Sequence, residues 1–182
     1  MNHQPETASG VRILAASVLA AVIAASAAAD ERPEGPRFVG FGEPVDLGVA
    51  GPPIDVDAGD VNGDGIVDVL AASAGGFGTS VRIWLGTPDG GFAPQSAQVS
   101  APTATVAIRL ADVDADGGLD LAIADGNGSV LVRWNAGDGS FNDGVTVIPV
   151  PGGPVDLDAG FADGNATADL YVGSADGTVT LI

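Results

Sequence analysis

Three short stretches of this chain set oxygen-bearing side chains on alternate residues. The first, Asp60-Val61-Asn62-Gly63-Asp64-Gly65-Ile66-Val67-Asp68, carries them at its first, third, fifth and ninth positions. That spacing suits calcium, a hard cation that takes roughly six to eight oxygen ligands at about 2.3–2.6 Å. Gly65, sixth in the stretch, lets the backbone turn where a Cβ would obstruct it. The stretch recurs as Asp112-Val113-Asp114-Ala115-Asp116-Gly117-Gly118-Leu119-Asp120 and, altered, as Phe161-Ala162-Asp163-Gly164-Asn165-Ala166-Thr167-Ala168-Asp169. In the third copy Phe161 replaces the first carboxylate and Ala166 the sixth-position glycine, leaving Asp163, Asn165 and Asp169. Affinity in such loops rises with ligand charge and rigidity. The second loop should therefore bind most tightly and the third weakly or not at all, with dissociation constants on the order of 10⁻⁴ to 10⁻³ M. The plainer reading is that these are Asp-Gly turns whose carboxylates cap backbone N–H groups.

Catalytic chemistry has little to work with. The only histidine is His3, and the chain has neither Cys nor Lys, so the usual pairings of nucleophile and base cannot be built. Ala71-Ala72-Ser73-Ala74-Gly75 faintly resembles a serine elbow, but with His3 in an expected signal peptide it has no histidine partner and reads as a turn. Paired carboxylates can hydrolyse glycosides, yet most Asp residues fall in the loops or turns. Asp55, Asp57, Asp156 and Asp158 flank the loops and read as solvated strand ends. The expectation is no enzyme.

The elements that must position these loops repeat with them. The loops begin at residues 60, 112 and 161, a period near 50, and a Gly86-Thr87-Pro88-Asp89-Gly90-Gly91-Phe92 marker matches Asn135-Ala136-Gly137-Asp138-Gly139-Ser140-Phe141. Four strands are predicted in each of the first two units and three in the third. In the first unit they are 54–58, 67–72, 80–85 and 95–100; in the second, 106–111, 119–124, 129–135 and 145–150; in the third, 155–160, 168–173 and 178–182. Asn127-Gly128, Asp138-Gly139 and Asp176-Gly177 supply hairpin turns. Apolar runs such as Leu121-Ala122-Ile123-Ala124 do not alternate, which fits strands covered on both faces. The expected fold is all-β, a propeller-like array of about three four-stranded antiparallel blades, partial or completed by oligomerisation.

An EF-hand or dockerin opens its loop with the same residues but needs an acidic twelfth ligand and a following helix. Here the twelfth positions are Ala71, Ile123 and Val172. Instead, the Gly-Asp-x-Asn-Gly-Asp-Gly-x-x-Asp pattern with its Gly-x-x-Asp-Gly-x-Phe marker resembles the FG-GAP and VCBS-type repeats of bacterial surface proteins and the integrin α-subunit propeller. The resemblance covers residues 41–182. It implies a β-propeller with calcium in loops between blade strands, in extracellular proteins that adhere, recognise or scaffold. Carried onto this chain, it implies Asp60, Asn62, Asp64, Asp68 and the Ile66 carbonyl as ligands in the first site. In the second it implies Asp112, Asp114, Asp116, Asp120 and the Gly118 carbonyl.

Composition bounds the partners. The chain has 182 residues, 46% of them apolar, enough for one folded unit. Its formal charge of -18, with every basic residue an Arg, repels nucleic acid and anionic lipid. Residues 1–29 read as a cleaved signal peptide: Arg12 precedes an uncharged run ending in Ala27-Ala28-Ala29. That run is too weakly apolar for a spanning helix, which needs roughly 20 such residues, so no membrane insertion is expected after cleavage. Residues 30–40 read as an extended leader, followed by repeats at about 41–100, 101–150 and 151–182.

The functional expectation is a secreted or cell-surface, calcium-binding, non-catalytic module that recognises an extracellular glycan or protein. The alternatives are an accessory or truncated part of a polysaccharide-processing enzyme and an architectural surface repeat. Phe77, among glycines at a hairpin tip, is the candidate contact residue. Trp84 and Trp134 fall one position out of register, which puts them on opposite strand faces, and Tyr171 reads as core. Closed propellers need about four to eight blades. Pro44–Val49 reads as a surplus fourth strand, suggesting a head-to-tail homodimer of six blades.

Overall fold

The computed structural model describes residues 42–75, 78–94 and 97–182. Among them there is no helix. Eleven strands form three antiparallel sheets. The first sheet has β1 (Pro53–Gly59), β2 (Asp68–Gly75), β3 (Gly78–Trp84) and β4 (Ala97–Ala101) in sequence order. The second has β5 (Thr105–Ala111), β6 (Asp120–Asp125), β7 (Ser129–Arg133) and β8 (Val145–Pro149). The third has β9 (Pro154–Gly160), β10 (Asp169–Ser174) and β11 (Val179–Leu181). Each sheet is a simple meander because its strands are joined by short turns, which permit only antiparallel neighbours.

The sheets stack as propeller-like blades. β1 packs on β5 and β5 on β9, so the first strand of each blade is innermost, and among the described residues the three blades form an arc and do not close a ring. The core lies between blades. Leu70, Ala72, Val81 and Ile83 of the first blade meet Ile108, Leu121, Ile123 and Phe141 of the second, all at 0% exposure. The other face of the second blade, with Ala122, Ala124, Val130 and Val132, meets Leu157, Leu170 and Val172 of the third. β6 is thus covered on both sides, which is why its apolar run does not alternate. Each Leu or Ile buried this way stabilises the stack by about 1.5–3 kcal/mol.

Some expectations are corrected. Pro44–Val49 is not a strand. Pro44 has no N–H to give a ladder, and the segment is held by a side chain, the Arg82 Nη1 donating to the Gly48 carbonyl at 2.8 Å. Ser73 lies within β2, fully buried, and not in a turn. Tyr171 is only half-buried. Trp84 is buried, whereas Trp134 is half-buried and donates from Nε1 to Thr146 Oγ1 at 3.1 Å. Phe77 and residues 1–41, with the expected signal peptide and leader, lie outside the described residues.

Candidate metal centre

Each nine-residue stretch joins the innermost strand of a blade to the second, and β-strands follow where an EF-hand would have a helix. The first-position carboxylate folds the loop around itself. Asp60 Oδ1 accepts from the N–H of Gly63 at 2.7 Å, and Oδ2 from Gly65 at 2.8 Å. Asp112 Oδ2 accepts from Gly117 in the same way, at 3.1 Å. The third- and fifth-position oxygens each accept the N–H two residues on: Asn62 from Asp64 and Asp64 from Ile66, then Asp114 from Asp116 and Asp116 from Gly118. These bonds point the oxygens inward on a short closed turn.

Two loop positions take left-handed backbone, which the sequence reading recognised at only one. The sixth is Gly65 (φ 81°) or Gly117 (φ 93°). The fourth is Gly63 in the first loop but Ala115 in the second, at φ 62°. A Cβ in that region costs roughly 1–2 kcal/mol, so the second loop holds strain that the first avoids.

The ninth-position aspartates do something different from the rest. Asp68 and Asp120 are buried, at 0% and 1% exposure. Asp68 accepts from Val61 N–H at 2.9 Å through Oδ2 and from Gly86 N–H at 2.8 Å through Oδ1. Asp120 repeats this with Val113 at 3.2 Å and Asn135 at 3.0 Å. Each therefore fastens its loop to the Asp-Gly-x-Phe marker of the same blade. Burial holds both carboxyls above the usual carboxylate range, opposed by these N–H groups. In the third loop Asp169 accepts from Ala162 N–H at 2.6 Å.

Asp112, Asp114 and Asp116 bring carboxylate oxygens within 4.8 Å of one another, close enough to share an ion. Asp120 is not part of that cluster. Asp112 Oδ1 is buried and has no hydrogen-bond partner, a costly arrangement unless something compensates it. This orphaned oxygen, amid a donor set made only of oxygens, fits a hard cation. The first loop offers two carboxylates and the Asn62 amide, which donates to Asp64 Oδ2 at 3.1 Å. In the third, Asn165 Nδ2 donates to Asp163 Oδ2 at 2.8 Å, and Asn165 Oδ1 accepts from Thr167. A recess of about 320 Å³ opens between the first two loops, lined by Asp60, Val61, Gly63, Asp116, Gly117 and Gly118 with Ala136 and Gly137.

Three further residues tie the first two blades together. Asn135, 2% exposed, donates to the carbonyls of Val61 at 2.9 Å and Leu119 at 3.0 Å, joining the first two loops. Asp55 and Asp57 are not solvated strand ends: they bond β1 to β5, accepting from the N–H of Ile108 at 3.0 Å and of Leu110 at 2.7 Å.

An all-β repeat whose blades each carry an acidic loop between their first two strands is the class that this fold and site define. Residues 60–123, from the first loop through the second and into β6, match the family model of the FG-GAP-like repeat. That segment is similar to FG-GAP-like repeats, modules that are generally non-catalytic and typically occur in extracellular proteins. No curated protein matches the chain.

Proposed function

We propose that this chain is a calcium-binding repeat module of a secreted or cell-surface protein, serving recognition or adhesion without catalysis. The observation that carries this reading is the group of Asp112, Asp114 and Asp116, whose oxygens converge while Asp112 Oδ1 is left buried and unbonded. Calcium there would take those three carboxylates and the Gly118 carbonyl. In the first loop it would take Asp60, Asn62, Asp64 and the Ile66 carbonyl. Asp68 and Asp120, buried and each bonded to the marker of its own blade, act mainly as the frame. Bound calcium would stiffen the turn between the innermost and second strands of a blade and so favour the folded stack. The recess between the loops is where an oxygen-rich ligand, a glycan diol or an acidic side chain, would meet both sites.

The third loop supports the turn-capping reading instead. Its first position is Phe161, 68% exposed, and its polar side chains bond to one another and to their own backbone.

Thermal melting in EDTA and in millimolar calcium tests the metal reading. The melting temperature should rise with calcium in the wild type and rise much less in Asp112→Ala/Asp114→Ala. An equal curve with and without calcium would remove the metal role. A glycan and matrix-protein array, run with and without chelator, then separates a binder from a scaffold.

A further inference from the structure

The third loop loses calcium-binding character and gains another pattern at the same positions. Its fifth and seventh residues are Asn165 and Thr167, where the first loop has Asp64 and Ile66 and the second Asp116 and Gly118. Asn165-Ala166-Thr167 is thereby an Asn-x-Thr triplet without proline, the acceptor pattern for an N-linked glycan on a surface loop of a secreted protein. Such triplets arise by chance, and only geometry separates an acceptor from a coincidence.

At Asn165 the loop already holds the amide in a reactive arrangement. Thr167 donates to Asn165 Oδ1 twice, from its N–H at 2.8 Å and from Oγ1 at 2.7 Å, while Asn165 Nδ2 donates to Asp163 Oδ2 at 2.8 Å. An amide nitrogen is a poor nucleophile because its lone pair is delocalised toward the carbonyl oxygen. Two donors at Oδ1 stabilise negative charge there, and a carboxylate at the N–H draws on its proton, so together they favour the imidate-like form whose nitrogen lone pair is free. The site is also open. Residues 161–166 are all exposed, and a Cβ at Gly164 would meet no atom within 4 Å.

The chain holds a second such triplet, Asn127-Gly128-Ser129, and it is built differently. Asn127 is exposed, but Gly128 N–H donates to the Asp125 carbonyl at 3.0 Å and the Gly128 carbonyl accepts from Val150 N–H at 2.9 Å. Ser129 opens β7 and is paired with Asp125 on one side and Pro149 on the other. That triplet is fixed in a sheet, whereas the side-chain bonds of Asn165 and Thr167 stay within their own loop.

We infer that Asn165 is the acceptor of an N-linked oligosaccharide, an inference that rests on the secreted or cell-surface reading and not on whether the other loops bind calcium. The donor is an oligosaccharide carried on a polyprenyl diphosphate. In the transfer Asn165 Nδ2 bonds to the anomeric carbon, the bond from that carbon to the diphosphate oxygen breaks, and the diphosphate leaves with the electron pair. The nitrogen gives up one proton to a carboxylate of the transferase. Because Ala168 N–H donates to the Asp112 carbonyl at 2.9 Å, the third loop abuts the second. The glycan therefore stands beside the second loop, and none of the residues that line the recess between the first two loops belongs to the loop that carries it.

The test incubates the full folded chain with a purified oligosaccharyltransferase and its lipid-linked oligosaccharide, read by intact mass and peptide mapping. One oligosaccharide per chain is expected, on Asn165. Asn165→Gln should stay unmodified and Thr167→Ser, which keeps the hydroxyl, should still be modified. Thr167→Val should slow the initial rate by about 10²-fold or more, the scale of losing one donor at a developing oxyanion. No addition to the wild type, or addition at Asn127 as fast as at Asn165, overturns the inference. Secretion is tested apart, in a host that glycosylates its secreted proteins, with residues 1–29 as the only export signal. A chain retained in those cells without glycan, yet modified when purified, removes the secretion reading and supports the acceptor assignment. A chain exported without glycan at Asn165 overturns that assignment.

Discussion

Asn135 Nδ2 donates to the Val61 carbonyl at 2.9 Å across 74 residues of chain, and its Oδ1 accepts from Gly139 N–H at 2.9 Å. One buried amide thus joins the first loop, the second loop and the second marker. Its backbone N–H is held by Asp120, and Val61 N–H by Asp68, so a continuous run of hydrogen bonds links the two ninth-position aspartates.

Asn135→Ala removes three side-chain hydrogen bonds and strands their buried partners, two carbonyls and an N–H. The expected loss of stability is about 2–3 kcal/mol, since an unsatisfied buried group costs roughly 1–3 kcal/mol and relaxation recovers part. Urea unfolding monitored by the fluorescence of Trp84 and Trp134 measures it. A loss below about 0.5 kcal/mol would mean that the amide is not a tie between blades.

Asp114 and Asp120 should separate by role. Asp114 is exposed and takes no part in fastening the blade, so Asp114→Ala should weaken calcium binding while leaving the metal-free melting curve almost unchanged. Asp120→Ala leaves the N–H groups of Val113 and Asn135 without acceptors, and should cost about 2–3 kcal/mol even in EDTA. Calorimetric titration together with melting in chelator distinguishes the two. Equal losses in the metal-free protein would contradict this assignment.

Ala115→Gly should stabilise the protein. The alanine sits at φ 62°, where the first loop has Gly63 and the third Gly164. Relief of roughly 1–2 kcal/mol of left-handed strain, offset by the greater chain entropy that glycine loses on folding, leaves a gain of about 0.5–1 kcal/mol. A higher urea midpoint with an unchanged slope is the expected result.

Burial raises the carboxyl of Asp57 above its ordinary value of 3.8, against the N–H groups of Leu110 and Ala58 and the charge of Arg109. The folded state then holds the proton more tightly than the unfolded one. The contribution of Asp57 to stability is greatest below about pH 3.8 and is lost as the pH rises to its folded pKa. Relative to Asp57→Asn, which cannot titrate, the wild type should lose stability across that window and run parallel above it. Chemical denaturation at a series of pH values in EDTA gives the slope, and identical slopes for the two proteins would rule the effect out.

Much of this molecule is written locally. Eleven strands, the order of the blades and the three loops follow from hairpin turns, apolar runs and a recurring pattern of Asp and Gly, because each of those signals acts within a few residues. Gly65 was legible as a turn requirement; the matching need at Ala115 was not, since alanine carries no mark of left-handed backbone. Asp120 and Asp68 look like their neighbours on paper. Only the packed blade shows that they are buried and hold N–H groups from Val113 and Asn135, or from Val61 and Gly86.

The sequence alone determined the repeat, the β-strands and the oxygen-rich loops, since short-range periodicity and turn chemistry suffice for them. The tertiary structure decided which carboxylates converge and which fasten one blade to another. The ties between blades depend on distances between residues some 50 apart in the chain, set by how neighbouring sheets bury their apolar faces, whereas the convergence of Asp112, Asp114 and Asp116 depends on how the loop's own N–H groups fold it.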